Sequence, residues 1–314
     1  MEPADSPTPA SPSTLGKAAP GLRWPCVINL PAIAEEGGGI RGRIRASWSA
    51  SRAVWRGHPS LVRSMLLWTA LACVLMGAAS FGLGDGARPC TTLWAVVIQG
   101  VWTGTWLFLV GIHLGAVRRE DGPRLGGLGL PNGLTLLRIL LIPATCWTIL
   151  AHARLTAHGG LVTALVFVVG FTDVLDGLLA RLLGLQTVLG RNLDHMADVL
   201  ICSALALAQH MAGLMPLWLA SLYLVRYLGA GAAGILGMAI RPNLRITPSL
   251  TGRIGTLVAG STLFLTIARP LVAPGLAAEV RLLHIFTAAV IGLNMLALVV
   301  MTLRGTAFER KGQA

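Results

Sequence analysis

The feature that most constrains this chain is a series of apolar runs, each close to the roughly 20 residues a helix needs to cross a bilayer. They cover 64–83, 93–116, 134–153, 159–181, 192–211, 215–239, 254–273 and 281–303. Runs of this length joined by short polar connections predict an all-α, polytopic membrane protein. The composition agrees. Of 314 residues, 54% are hydrophobic and only 12% charged, about half the usual charged share; the mean hydropathy is +0.70. The net charge of +12 does not point to nucleic acid, because the arginines sit in short connections between apolar runs and form no continuous stripe.

Basic residues favour alternate connections. Arg118, Arg119 and Arg124 follow the second run, Arg181 and Arg191 flank a central turn, and Arg241, Arg245 and Arg253 follow the sixth run. The 210–214 connection has no Arg or Lys, and the one after the first run has only Arg88. This bias predicts a multi-pass protein of the cell (plasma) membrane with both termini and the central turn on the cytoplasmic side. Residues 1–60 read as a disordered, then basic, cytoplasmic segment in which Arg41, Arg43, Arg45, Arg52 and Arg56 alternate with Trp48 and Trp55. Such a segment either lies on an anionic membrane surface or simply flanks the first span. The cysteines form no C-x-x-C pair, and those within apolar runs read as small core residues.

The chemistry-bearing stretch is Phe171 to Leu200, FTDVLDGLLARLLGLQTVLGRNLDHMADVL. Between Asp121 and Glu279 its four aspartates, Asp173, Asp176, Asp194 and Asp198, are the only acidic residues. Carboxylates in apolar surroundings need partners, and lysines or arginines are too few nearby to supply them. On a helix, Asp173 and Asp176 share one face, as do Asp194 and Asp198 on the next. A short turn between the helices lets all four converge. Oxygen ligands suit a hard cation such as Mg²⁺ or Mn²⁺, and the lack of Cys or His at ligand spacing argues against zinc. Gly177 and Ala180 keep that helix surface flat for a close-approaching ligand.

The pattern D-x2-D-G-x2-A-R-x8-G-x3-D-x3-D, complete here from Asp173 to Asp198, resembles the signature of the CDP-alcohol phosphatidyltransferase family. The resemblance extends to PNGLTLLR (Pro131–Arg138) and, more weakly, to PSLTGRIGT (Pro248–Thr256). It implies a six-helix CDP-alcohol phosphatidyltransferase bundle at 128–304, preceded by two extra transmembrane helices at 61–117 and followed by a cytoplasmic tail at 305–314. It also implies phospholipid-synthesis chemistry. A CDP-alcohol, usually CDP-diacylglycerol, gives its phosphatidyl group to an alcohol and CMP leaves. Two Mg²⁺ or Mn²⁺ ions would sit on Asp173, Asp176, Asp194 and Asp198, and Asp198 would take the proton of the attacking hydroxyl. Asn132, Thr135, Gly177, Ala180, Arg181 and Thr187 would contact CDP. The family also implies a homodimer.

PNGLTLLRILLIP looks like the phosphatidylglycerophosphate and cardiolipin synthase branch. Arg226, Arg245 and Arg253 suit an acceptor with its own phosphate, such as glycerol 3-phosphate. The run DHMADV, with His195 and Val199 where that branch commonly has Pro and Lys, leaves open inositol phosphate, phosphatidylglycerol or a neutral alcohol. From other classes come an ion-coupled transporter using the aspartates as a relay and an inactive scaffold.

Overall fold

The computed structural model describes residues 52, 54–82, 89–114, 117, 126–152, 159–229, 231, 232, 244–246, 250–272, 277–303 and 308–310. The segment before residue 52, the 118–125 connection and the end of the tail lie outside the described residues.

Nine α-helices are described: α1 (Pro59–Gly82), α2 (Pro89–Ile112), α3 (Leu130–Leu140), α4 (Ile142–His152), α5 (Gly159–Leu182), α6 (Val188–Met211), α7 (Leu217–Leu224), α8 (Leu250–Val272) and α9 (Ala277–Leu303). A π-helical turn, Val225–Gly229, continues α7. A two-stranded antiparallel ribbon pairs β1 (Leu244–Ile246) with β2 (Phe308–Arg310). Four helices are long and apolar enough to span a bilayer, and α3–α4 counts as a fifth span if taken together. α6 matches them in length but carries Arg191, Asp194 and Asp198. Each expected apolar run thus has a helix, and the chain is a multi-pass, all-α membrane protein.

The run 134–153 is not one straight helix. It starts at Leu130 and bends by 40° between α3 and α4. Pro143, in the first turn of α4, is the cause: it has no N–H for the carbonyl of Ile139, and its ring crowds that carbonyl. Trp102 of α2 supplies a substitute donor, its Nε1 giving a hydrogen bond to Ile139 O at 2.9 Å.

α3 lies between the N-terminal pair α1–α2 on one side and the α5–α6 hairpin on the other. One apolar cluster joins α1, α2 and α3 to the first half of α6 through Leu61, Met65, Val110, Leu136, Ile139, Leu189 and Leu193. A second joins α4, α5, the rest of α6, α7, α8 and α9. The two extra helices are therefore packed into the core that the first half of α6 also uses. Outer faces stay apolar, with Leu67, Val74, Leu93, Val101, Phe167, Leu257, Leu282 and Leu293 exposed, as a lipid-facing surface requires.

Lipid offers helices no hydrophobic drive to associate, so polar contacts matter inside the bundle. α8 and α9 are joined by Thr262 and Thr287, hydroxyl to hydroxyl at 2.6 Å, and by Thr266 and His284 at 3.2 Å. Tyr223 of α7 donates to Ala259 O, and Gln209 of α6 to Leu263 O. His284 is thus a partnered histidine within the bundle. Cys146 and Cys202 lie within the bundle, but Cys73 is exposed on the outer face of α1, so it is not the core residue expected of it. Gly229, Ala233 and Gly237 recur every four residues in the sequence as small residues; Gly229 is exposed and the other two lie outside the described residues.

Candidate active site

The α5–α6 turn brings the two aspartate pairs together. α5 ends in a Schellman motif, with Leu185 N donating to Ala180 O at 3.0 Å and Gly184 N to Arg181 O at 3.3 Å. Gly184 has φ +59°, a conformation that only glycine adopts without strain. Three residues later Thr187 caps α6, its hydroxyl oxygen accepting from Gly190 N at 2.9 Å. The same hydroxyl donates to Asn132 Oδ1 at 3.0 Å, and Asn132 Nδ2 donates to Leu128 O at 2.6 Å. Thr187 and Asn132 therefore join the start of α3 to the start of α6. Gly190 makes this possible, since a Cβ there would overlap the Asn132 side chain.

Asn132, Thr135 and Arg138 recur every three residues along one side of α3, and all three are buried. Each meets a different part of the motif. Thr135 donates to Asp176 Oδ2 at 2.7 Å. Arg138 donates through Nη1 to Asp173 and through Nη2 to Asp194 Oδ1 at 2.9 Å, and lies 3.8 Å from Asp176 Oδ2. One guanidinium thus bridges carboxylates of α5 and α6. The sequence reading assigned Arg138 no role. Its available signal was the three-residue spacing behind Asn132 and Thr135, which sets all three on one helix face.

Carboxylate oxygens of Asp173, Asp176 and Asp194 lie within 4.8 Å of one another. Asp198, one turn further along α6, is not in that group. The donor set fits a hard divalent cation: only oxygen ligands are present. Arg138 does not balance the cluster, because four aspartates face one guanidinium, 4 − 1 = 3 formal negative charges in excess.

A cavity of about 260 Å³ opens beside the carboxylates, lined by Asn132, Thr135, Asp176, Gly177, Ala180, Arg181, Thr187, Gly190 and Asp194 among others. All six residues expected to contact CDP line it. Gln186 lines it too, as does Arg191, which the sequence offered only as a charge flanking the turn. Arg181 folds back over Gly177, where a Cβ would sit 3.5 Å from Nη1. The N-terminus of α6, at Gly190, also faces the cavity, so its partial positive charge adds to that of Arg181 and Arg191.

The arginines expected to meet the acceptor phosphate belong to three other elements. Arg226 is half-buried on the π-helical turn, its guanidinium 5.5 Å from the ring centre of Tyr227. That turn packs on α6. Arg245 stands in the ribbon opposite Glu309, and Arg253 is in the first turn of α8. His195 is exposed. Neither Arg226 nor His195 lines the cavity.

Comparison with known proteins gives the same picture. The family model described as CDP-alcohol phosphatidyltransferase matches residues 128–303. A Mycobacterium tuberculosis protein named as a phosphatidylglycerophosphate synthase is 32% identical over 135 residues, 41% of this chain and 61% of that protein. A Mycobacterium bovis protein named as a cardiolipin synthase is 34% identical over 149 residues, 46% of this chain and 68% of its own length. The rice chloroplast CDP-diacylglycerol–glycerol-3-phosphate 3-phosphatidyltransferase 1 is 35% identical over 99 residues, 32% of this chain and 29% of that protein. The chain thus spans about three fifths of the length of the first of these relatives. No solved structure matches it significantly. With the complete motif on α5 and α6 and a model match over more than half its length, the chain belongs to the CDP-alcohol phosphatidyltransferase family.

Proposed function

We propose that this protein transfers the phosphatidyl group of CDP-diacylglycerol to an alcohol acceptor, glycerol 3-phosphate, and releases CMP. The observation that supports this best is the cavity itself. It gathers Asn132, Thr135, Gly177, Ala180, Arg181 and Thr187 beside Asp176 and Asp194, so a nucleotide diphosphate seated there has its phosphates next to the carboxylate cluster.

In this reading Arg181, Arg191 and the α6 N-terminus hold the diphosphate oxygens. Gly177 and Ala180 leave room for the nucleotide against α5. The acceptor hydroxyl oxygen bonds to the β-phosphorus, the bond from that phosphorus to the bridging oxygen breaks, and the bridging oxygen leaves on CMP. The proton of the hydroxyl passes to Asp198. Asp173, Asp176 and Asp194, with Asp198 for a second ion, would hold Mg²⁺ or Mn²⁺, whose charge offsets that of the diphosphate. Arg138 keeps Asp173 and Asp194 aimed at the site, and Thr135 does so for Asp176.

Glycerol 3-phosphate is favoured because one relative is named for that substrate and another for phosphatidylglycerophosphate synthesis. Arg226, with Arg245 and Arg253, would meet the acceptor phosphate. In this reading the cavity mouth faces the cytoplasm of the plasma membrane, which the arginine bias of the connections supports, with the acyl chains of the donor in the bilayer; the homodimer rests on the family resemblance. Purified protein with CDP-diacylglycerol, Mg²⁺ and glycerol 3-phosphate should release CMP and form phosphatidylglycerophosphate. CMP release only with another acceptor would correct the substrate, and none with any acceptor would overturn the reading.

A further inference from the structure

The N-terminal pair α1–α2 lies outside the region matched by the family model, yet it touches α3, whose side chains hold Asp173, Asp176 and Asp194. Asn132 and Gly133 are neighbours on α3 with opposite duties. Asn132 fits against Gly190 of α6. Gly133 receives the indole of Trp68 from α1, so closely that a Cβ at Gly133 would overlap the ring. α3 is therefore held between two glycine notches, one on each side. Two further contacts fix its ends. Ser64 Oγ of α1 accepts from Leu128 N at 3.2 Å, just before α3 begins. At its other end, Trp102 of α2 fills the donor place left by Pro143 on Ile139 O, one residue past Arg138.

Asn132, Thr135 and Arg138 stand on one side of α3, so their tips move together when the helix turns about its axis. With side chains reaching about 6 Å from that axis, a rotation of roughly 20° moves them by about 2 Å. A shift of that size breaks hydrogen bonds of 2.7–3.0 Å such as those of Thr135 and Asn132. Loss of even about 1 Å of alignment can cost a hundredfold in rate.

We propose that α1–α2 is a positioning element for the donor site, acting through Trp68 in the Gly133 notch and Trp102 on the Ile139 carbonyl. The inference rests on the cavity being the CDP site. Its contribution is the fixed rotation of α3, which holds Asn132 against Gly190 and Thr135 on Asp176.

The test measures CDP affinity by calorimetry, with Mg²⁺, on full-length protein in detergent that elutes as a single folded species. Gly133→Ala forces the ring out of its seat and is expected to weaken CDP binding at least tenfold. Trp68→Ala frees the seat and is expected to weaken it about as much. In the double variant the new methyl occupies the vacated space, so CDP binding recovers relative to Gly133→Ala alone. Trp94→Ala, on the exposed face of α2, is expected to bind like wild type. Recovery in the double variant shows that the loss runs through the contact between these two residues. Affinities within twofold of wild type for both single variants, or additive losses in the double variant, overturn the proposal. If Trp68→Ala does not fold, Trp102→Phe decides, since it keeps the ring and removes the N–H: a loss of threefold or more supports the role and wild-type affinity overturns it. A wild-type protein that binds no CDP overturns the donor-site reading, an outcome distinct from all of these.

Discussion

Thr135 holds Asp176 by a 2.7 Å hydrogen bond between a helix, α3, and a carboxylate 41 residues later in the chain. Asp176 is buried, unlike the partly exposed Asp173 and Asp194, so it depends most on that partner. Replacing Thr135 by the near-isosteric valine removes the donor and leaves the carboxylate in an apolar setting. The expected penalty is about 1–3 kcal/mol. The CMP-release rate of Thr135→Val should fall roughly tenfold or more, with Thr135→Ser close to wild type; equal rates for Val and Ser would show that the bond is dispensable.

Arg138 is the internal counter-ion of the cluster. Arg138→Met should destabilise the metal-free protein, because three carboxylates lose their shared cation. With Asp173 and Asp194 partly exposed, the loss is on the order of 1–3 kcal/mol. Mg²⁺ should then raise the melting temperature of the variant more than that of wild type. A Mg²⁺ effect of equal size in both proteins would mean that Arg138 and the cation do not share the same charges.

Activity should require a divalent cation. Chelation should abolish CMP release, and added Mg²⁺ or Mn²⁺ should restore it. Asp173→Asn and Asp194→Asn should be inactive while remaining folded in detergent. Full turnover in metal-free buffer would rule out a metal-dependent mechanism.

Donor and acceptor contacts should separate kinetically. Loss of one charge-assisted contact to phosphate costs roughly 1.5–3 kcal/mol, about ten- to more than a hundredfold. Arg181→Ala should raise the KM for CDP-diacylglycerol by that factor and spare the acceptor. Arg226→Ala should do the reverse. Asp198→Asn should lower kcat by about 10²–10⁴ if it acts as general base. An unchanged acceptor KM in Arg226→Ala would make that arginine structural, in keeping with its place over the Tyr227 ring.

The orientation is open to labelling. Thr187 is buried as the cap of α6, but Leu183 in the same turn is exposed. A cysteine placed at 183 should resist a membrane-impermeant reagent in intact cells and react after permeabilisation. Ready labelling from outside would reverse the topology.

The helices were legible because apolar runs of bilayer length leave the backbone few choices. The motif aspartates were legible because acidic residues are otherwise absent across that region. The bend at Pro143 was written in the sequence but hidden by a run that reads as one span. Arg138 was missed for a different reason: its partners lie 35 and 56 residues away, and only the packing of α3 against α5 and α6 brings them together. The seat of Trp68 was hidden because nothing in the sequence couples it to Gly133. Thr187 lines the cavity beside the carboxylates, while its duty as the cap of α6 emerged only with the turn.

The two polar pairs between α8 and α9 act as a vernier. Two helices with smooth apolar faces in lipid can slide past each other with little change in energy. Here a slide of one turn, about 5.4 Å, separates Thr262 from Thr287 and Thr266 from His284 in the same movement. In one direction only Thr266 and Thr287 can meet again; in the other, only Thr262 and His284. Because the two pairs are spaced unequally on the two helices, four residues on α8 and three on α9, every wrong alignment forfeits at least one of them, and a single correct setting is left.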